Sequence, residues 1–317
     1  MLTDRDGVPF PPIRRLGPED HKHCVSLSLD RGWSPEEAKW ALLLEETEAF
    51  GIDAPDSGLA GAVVLARYGP DLASVGMMLV AGRYARRGLG RALMTHLLAE
   101  AGGATVTLFA TDAGKPLYSK LGFRAVRANA SFVGGFRPVA GQPAAGRPVA
   151  EQQAAGLQAA PARGAGGPQA AARGAGGSRP ATNADMRAIL GFDKTAFGAD
   201  RGYLLRRLPA FAERMRVLET AGGITGYAAA WRNGNVAVIG PVVAASAAGA
   251  RRLITDLAAE VRGPVRLDLD PDRPELPEWA LNRGLEPVSR TTVMAHGAWP
   301  RRGDHGRLFT PISVALA

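Results

Sequence analysis

Residues 136–180 decide how this chain can be built. The tract is almost wholly Ala, Gly, Pro, Gln and Arg, with Ala-Arg-Gly-Ala-Gly-Gly repeated at 162–167 and 172–177. With almost no large apolar side chains, it cannot bury enough surface to offset the entropy of ordering it. The expectation is a flexible linker. The chain of 317 residues then divides into an N-terminal domain, 1–135, and a C-terminal domain, 181–317, each of ordinary domain size. The tract carries Arg137, Arg147, Arg163, Arg173 and Arg179 against Glu151 alone, which accounts for half of the formal charge of +8. The remainder is only mildly basic. No zinc spacing, recognition helix or aromatic–basic pattern accompanies it, so a nucleic-acid partner is not expected.

In the first domain, Ser74–Val80 is a short apolar run suited to a buried strand. Arg83-Tyr84-Ala85-Arg86-Arg87 and Gly88-Leu89-Gly90 follow, then a helical pattern with Leu89, Leu93 and Leu97 on one face. Strand, glycine turn and helix start together make an anion site, because free amides point outward there and glycines let a phosphate approach the backbone. A P-loop would need Gly-Lys-Ser/Thr, and the chain offers only Gly114-Lys115-Pro116. A dinucleotide fingerprint would need a small residue three positions after Gly90, where Leu93 stands.

Ala85-Arg86-Arg87-Gly88-Leu89-Gly90 resembles the Gln/Arg-x-x-Gly-x-Gly/Ala motif of the GNAT (GCN5-related N-acetyltransferase) superfamily, with Ala85 in the place of Gln or Arg. After a strand at Val106–Phe109, Pro116-Leu117-Tyr118-Ser119-Lys120-Leu121-Gly122-Phe123 resembles the second signature of that family, on a short helix over 114–121. The preceding order also fits: a strand at Ile13–Leu16, helices at 19–31 and 35–44 with Ser34 as N-cap, then a hairpin of Glu48–Asp53 and Leu59–Tyr68. Phe123–Arg127 and Ser131–Val133 supply the last strands. The resemblance implies acetyl-CoA as co-substrate. Its diphosphate would rest on Arg86, Arg87, Gly88, Leu89, Gly90 and Arg91, and its pantetheine would lie along Met78, Leu79 and Val80, where the strand splays from its neighbour. Tyr118 corresponds to the tyrosine that protonates the departing thiolate. The implied reaction is direct attack of a primary amine on the thioester, in keeping with the lack of a Cys/His or Ser/His/Asp signature.

From Ala181 the same order returns. Helical patterns at Asn183–Leu190 and Tyr203–Arg207 precede strands at Val217–Glu219, Ile224–Trp231 and Asn235–Val243. A helix at Ala247–Val261, a strand at Val265–Leu269, a helix at Leu276–Arg283 and a strand at Thr291–His296 complete it. This half resembles a second, degenerate GNAT module, giving a tandem arrangement of the α/β class. Each module would be a mixed, mostly antiparallel twisted sheet flanked by helices. No Gly-x-Gly precedes the long helix, and aligning Gly284-Leu285 on Gly122-Phe123 puts Ala280 where Tyr118 stands. The second module is therefore read as structural or as one wall of an acceptor cleft. There Trp231, Tyr203, Asp193, Asp200 and Arg201 are candidate contacts.

The proton acceptor is left open among Glu45, Glu46, Glu48, Asp112 and water. His21, His23 and His96 have no ligand spacing, so no metal site is assigned, and Cys24 reads as a core residue. No apolar run reaches the ~18–20 residues of a membrane span, and the N-terminus lacks a leader pattern, so a cytoplasmic location is expected. The acceptor expected is a small-molecule amine such as an amino acid, polyamine or aminated antibiotic. A protein lysine or N-terminal amine comes second; a homo-oligomer is compatible with either. A non-catalytic acyl-CoA sensor is the alternative from another class.

Overall fold

The computed structural model describes residues 3, 9–137, 178–299 and 303–316. The first half runs β1 (Arg14–Leu16), α1 (His21–Asp30), α2 (Glu37–Glu46), β2 (Glu48–Asp53), β3 (Leu59–Arg67) and β4 (Leu72–Val80). It continues through α3 (Leu89–Ala101), β5 (Thr105–Ala110), α4 (Lys115–Lys120) and β6 (Arg124–Gly134). β3 is buried along nearly all its length, as a strand covered on both faces must be, which is why it reads as a continuous apolar run. α3 turns Leu89, Leu93, Met94, Leu97 and Ala101 into the core, as its spacing predicts. α2 begins differently from expectation. Its N-cap is Glu36, in the left-handed region at φ 59°, and Ser34 instead donates its hydroxyl to Glu36 Oε1 at 3.2 Å.

The second half runs β7 (Ser178–Pro180), α5 (Met186–Phe197), α6 (Gly202–Leu205), α7 (Leu208–Phe211), β8 (Arg214–Thr220), β9 (Gly223–Asn233) and β10 (Val236–Ala244). It ends with α8 (Ala247–Glu260), β11 (Val265–Leu269), α9 (Pro277–Asn282), β12 (Glu286–His296) and β13 (Leu308–Thr310). Over 138–177 the expected linker lies outside the described residues. Its end is more ordered than expected: Ser178–Pro180 pairs antiparallel with β8, and Arg179 clamps Asp185 at 2.7 Å, as Arg14 clamps Asp20 at 2.7 Å in the first half.

The strands form one continuous sheet in the order β1-β2-β3-β4-β5-β12-β6-β11-β10-β9-β8-β7, with β13 added beside β10. Read outward from its centre, the sheet repeats itself: β5 to β1 on one side, β11 to β7 on the other. The two central strands are exchanged. β12 of the second half pairs with β5 of the first, and β6 of the first pairs with β11 of the second. β6 is therefore held on both edges. This double pairing makes it one strand of 11 residues in place of the two short ones expected. The cores follow the exchange. Ala130 and Phe132 of β6 belong to an apolar cluster otherwise built by the second half, while Met294 of β12 belongs to the larger cluster that runs through both halves. Tyr68 also meets Phe197 edge-on at 5.1 Å, so the halves do not own separate cores.

Candidate active site

β4 and β5 run parallel and pair from Leu72↔Thr105 to Val75↔Leu108, and no further. Beyond Val75, β4 stays paired to β3 as far as Val80, so its other edge is open. A bulge marks the parting: Ala62 pairs with Leu79 and Val64 with Gly76, leaving Met77 and Met78 opposite Val63 alone. Met77 takes a φ of 49° there. The expected splay is present in the backbone.

Where β4 ends, the glycine turn delivers the chain into α3. Gly88 is the N-cap at φ 82°, a left-handed conformation that suits glycine, and no side chain caps this end. Ala92 donates to Gly88 O at 2.9 Å, so the amides of Leu89, Gly90 and Arg91 lie ahead of the first intrahelical bond. A side chain at Gly90 would press on Met78, with its Cβ 2.9 Å from Met78 Cε, so the turn abuts the open edge of β4. Arg86, Arg87 and Arg91 make no ion pair among the described residues. Open amides, free arginines and an unpaired strand edge in continuity fit a ligand carrying a diphosphate at one end and amide groups along its length, as coenzyme A does.

A cavity of about 380 Å³ opens beside the gap, lined by Gly76, Met77 and Met78 of β4 and by Tyr118 of α4. Leu79 and Val80 lie outside its lining. The Tyr118 ring is wedged against Phe123 and packs over Gly114, where a Cβ would come within 2.9 Å of it. Burial pushes its phenol up to about 12, so it stays protonated across the neutral range.

The opposite wall holds residues that the sequence did not single out. Glu36 and Lys39 form a buried ion pair of 2.6 Å, and Asn233, from the end of β9, donates to Glu36 Oε1 at 2.9 Å. Loss of hydration lowers the Lys39 ammonium from its ordinary range despite this partner. Arg266 of β11 and Ser289, Arg290 and Thr291 of β12 complete that side. The C-terminal segment closes it with Val314 and Ala315, which lies against Gly76. The cavity is thus shared by both halves, because the strand exchange carries β12 across.

The expected acceptor contacts are elsewhere. Asp193 and Arg201 form a buried two-point pair at 2.8 and 2.9 Å, and Tyr227 donates to the same carboxylate. Arg201 also stacks over Phe197, which makes this a structural core of the second half. Trp231 is buried and donates its indole N–H to Ile312 O at 3.1 Å, fixing the C-terminal segment. Asp200 is exposed, accepting from Gly202 N at 2.8 Å. Tyr203 lines a separate groove with Glu45, Glu46 and Glu48. Those carboxylates face arginines: Glu45 and Glu46 pair with Arg207, and Glu48 with Arg67. Asp112 is an exposed partner of Lys115 at 3.5 Å. Tertiary packing uses these polar residues as core and surface pairs.

Cys24 is buried, and its thiol is pushed up to about 12 by desolvation. Among the described residues no helix is long and apolar enough to cross a membrane, and no group of three His, Cys, Asp or Glu could hold a metal.

The second half keeps the geometry and closes it. β10 pairs with β11 only at Ala237↔Val265 and Val238↔Arg266, and it has its own bulge at Gly240 and Pro241. β9 occupies one edge of β10 at Val242 and Val243, so β13, pairing Thr310 and Leu308 with those residues, must occupy the other. The gap that stays open in the first half is filled by the chain itself. α9 confirms the register inferred from the glycines. Leu285 donates to Ala280 O at 3.1 Å as Phe123 donates to Tyr118 O at 3.0 Å, which puts Ala280 at the tyrosine's place.

Family models for the acetyltransferase (GNAT) domain match residues 34–138 and 189–310. An uncharacterized N-acetyltransferase of Bacillus subtilis (strain 168), YitH, is 26% identical over 306 residues, spanning 95% of this chain and 97% of that one. A Pyrococcus horikoshii protein provisionally assigned as an acetyltransferase has a similar fold, with TM-score 0.73 at 19% identity over 96% of this chain and 95% of its own. A tandem GNAT protein from the clavulanic acid biosynthesis pathway gives TM-score 0.58 at 17% identity, over 91% of this chain and 99% of its own. Matched by this family in each half, and built from one strand order used twice, the chain belongs to the GNAT superfamily as a tandem GNAT acetyltransferase.

Proposed function

We propose that this acetyltransferase uses acetyl-CoA to acetylate a primary amine of a small molecule, with Tyr118 as general acid. The observation that carries the reading is the cavity itself, which joins Tyr118 to the open edge of β4 on one side and to residues of the second half on the other. Acetyl-CoA supplies the acetyl group as a thioester. Arg86, Arg87 and the Gly88–Arg91 backbone hold its diphosphate, and the main chain of Met78, Leu79 and Val80 holds its pantetheine. A low-dielectric wall makes main-chain donors there effective against developing negative charge. The enclosing C-terminal segment and α1–α2 loop suit a small acceptor better than a protein surface.

An amine attacks only after losing its proton. Glu36 is the carboxylate in the cavity lining, and it is the proton acceptor, held in place by its buried ion pair with Lys39. Left-handed backbone at Glu36 is the kind of strain that a functional position retains. Tyr118 then donates its phenolic proton to the sulfur leaving group. The test is release of CoA thiol from acetyl-CoA across an amine panel. Tyr118→Phe should lower kcat by about 10²–10⁴-fold with acetyl-CoA affinity retained. A variant as fast as the parent would overturn the assignment of Tyr118.

A further inference from the structure

The cavity walls carry an asymmetry of charge. Glu36 is matched by Lys39 at 2.6 Å, and Arg266 by Asp268 at 2.9 Å. Arg290 also lines the cavity, is exposed, and has no ion pair or side-chain hydrogen bond among the described residues. Arg266 commits Nε and Nη2 to Asp268 and Ser131, which leaves Nη1 without a partner among those residues. Arg266 and Lys39 are near enough for the guanidinium to help depress the ammonium, so the positive groups converge on one space. No carboxylate in the lining is left unmatched to attract a second ammonium. The acidic residues Glu45, Glu46 and Glu48 line a different groove.

We propose that the acceptor is an amine that also bears an anionic group, a carboxylate or a phosphate, which pairs with Arg290 and the free Nη1 of Arg266. This deepens, and rests on, the reading of the cavity as the acceptor site of an acetyltransferase. Arginine suits the task because its planar fork meets either anion with two parallel hydrogen bonds. Both arginines come from the second half, so the closed module would contribute acceptor choice to chemistry performed by the first. Polyamines, which add positive charge, are poor acceptors on this reading.

The experiment compares matched amines on the full-length protein by CoA thiol release: β-alanine with β-alaninamide, O-phosphoethanolamine with ethanolamine, and spermidine. Values of kcat/KM are expressed per neutral amine, since the amide shifts the amine's own pKa. The anionic member of at least one pair should exceed its uncharged twin by about tenfold or more, the size of one charge-assisted contact. The pair that responds tells carboxylate from phosphate. In Arg290→Glu, a surface change that should leave folding intact, that ratio should fall by about tenfold or more and approach or pass below one. Equal use of both twins, a preference for spermidine, or an unchanged ratio in Arg290→Glu would overturn the inference while leaving amine acetylation standing. Thiol release with none of the five, despite acetyl-CoA binding seen by calorimetry, would remove amine acetylation and the inference together.

Discussion

Burial decides what single side chains can do in this molecule. Tyr118, with its phenol pushed up from an ordinary 10.0 to about 12, keeps its proton far into alkali. The pH profile of kcat/KM should therefore rise as the amine loses its proton, then level, with no falling limb from Tyr118 between about pH 7 and 10.5. A fall in that range that vanishes in Tyr118→Phe would show that the phenol is more hydrated than its packing indicates. Lys39 is the second case. Removing it as Lys39→Met strands a buried carboxylate and should cost about 3–5 kcal/mol in denaturant unfolding, much of it recovered in Glu36→Gln/Lys39→Met. The sign of the pH effect follows from the lowered ammonium pKa. Below the ordinary lysine value of 10.5 the unfolded chain binds this proton more tightly, so the site's contribution to stability rises with pH, and the double variant should lose that slope. Tyr118 was legible because it sits in a local eight-residue signature. Glu36 was not. Its place depends on Asn233, 197 residues away, and on a left-handed N-cap two residues beyond the Ser34 cap expected from the sequence.

At the scale of elements, one gap is open and its counterpart is filled. The strand–turn–helix unit of the first half was readable because periodicity and glycine spacing are local, and its bounds moved by only a few residues. β13 was not readable. Leu308-Phe309-Thr310 is too short for any period, and it exists because β10 offers an unpaired edge at Val242 and Val243. That filled edge predicts the ligand stoichiometry. Calorimetric titration with acetyl-CoA should give one site per chain. Gly90→Val should weaken it, because the added side chain must push the Met78 methyl, 2.9 Å from its Cβ, aside at the turn whose amides receive the diphosphate. Two sites would mean that β13 yields to the ligand. Binding unchanged in Gly90→Val would move the diphosphate away from this turn.

At the scale of the molecule, the chain behaves as one body made from a duplicated plan. Composition pointed to two domains separated at residue 135, and each half does carry the repeated order of elements. The exchange of β6 and β12 lay beyond sequence reading, since a strand's residues reveal that one face is buried but not which sheet buries it. The consequence is testable by cutting the chain. A fragment of residues 1–137 lacks β12, so β5 loses its outer partner, β6 loses both of its neighbours, and Phe132, only 5% exposed in the whole chain, is uncovered. Three such edges and an apolar face invite self-association. The fragment should be insoluble, or a dimer in which each copy's β6 serves the other. Co-expressed with residues 178–317, it should form a soluble one-to-one complex that binds acetyl-CoA, because the β6–β12 pairing and not the covalent link joins the halves. Light scattering after size exclusion reads the outcome. A folded monomer of 1–137 with cooperative unfolding would show that the first half completes its own sheet, and the exchanged strands would then be a contact between finished domains.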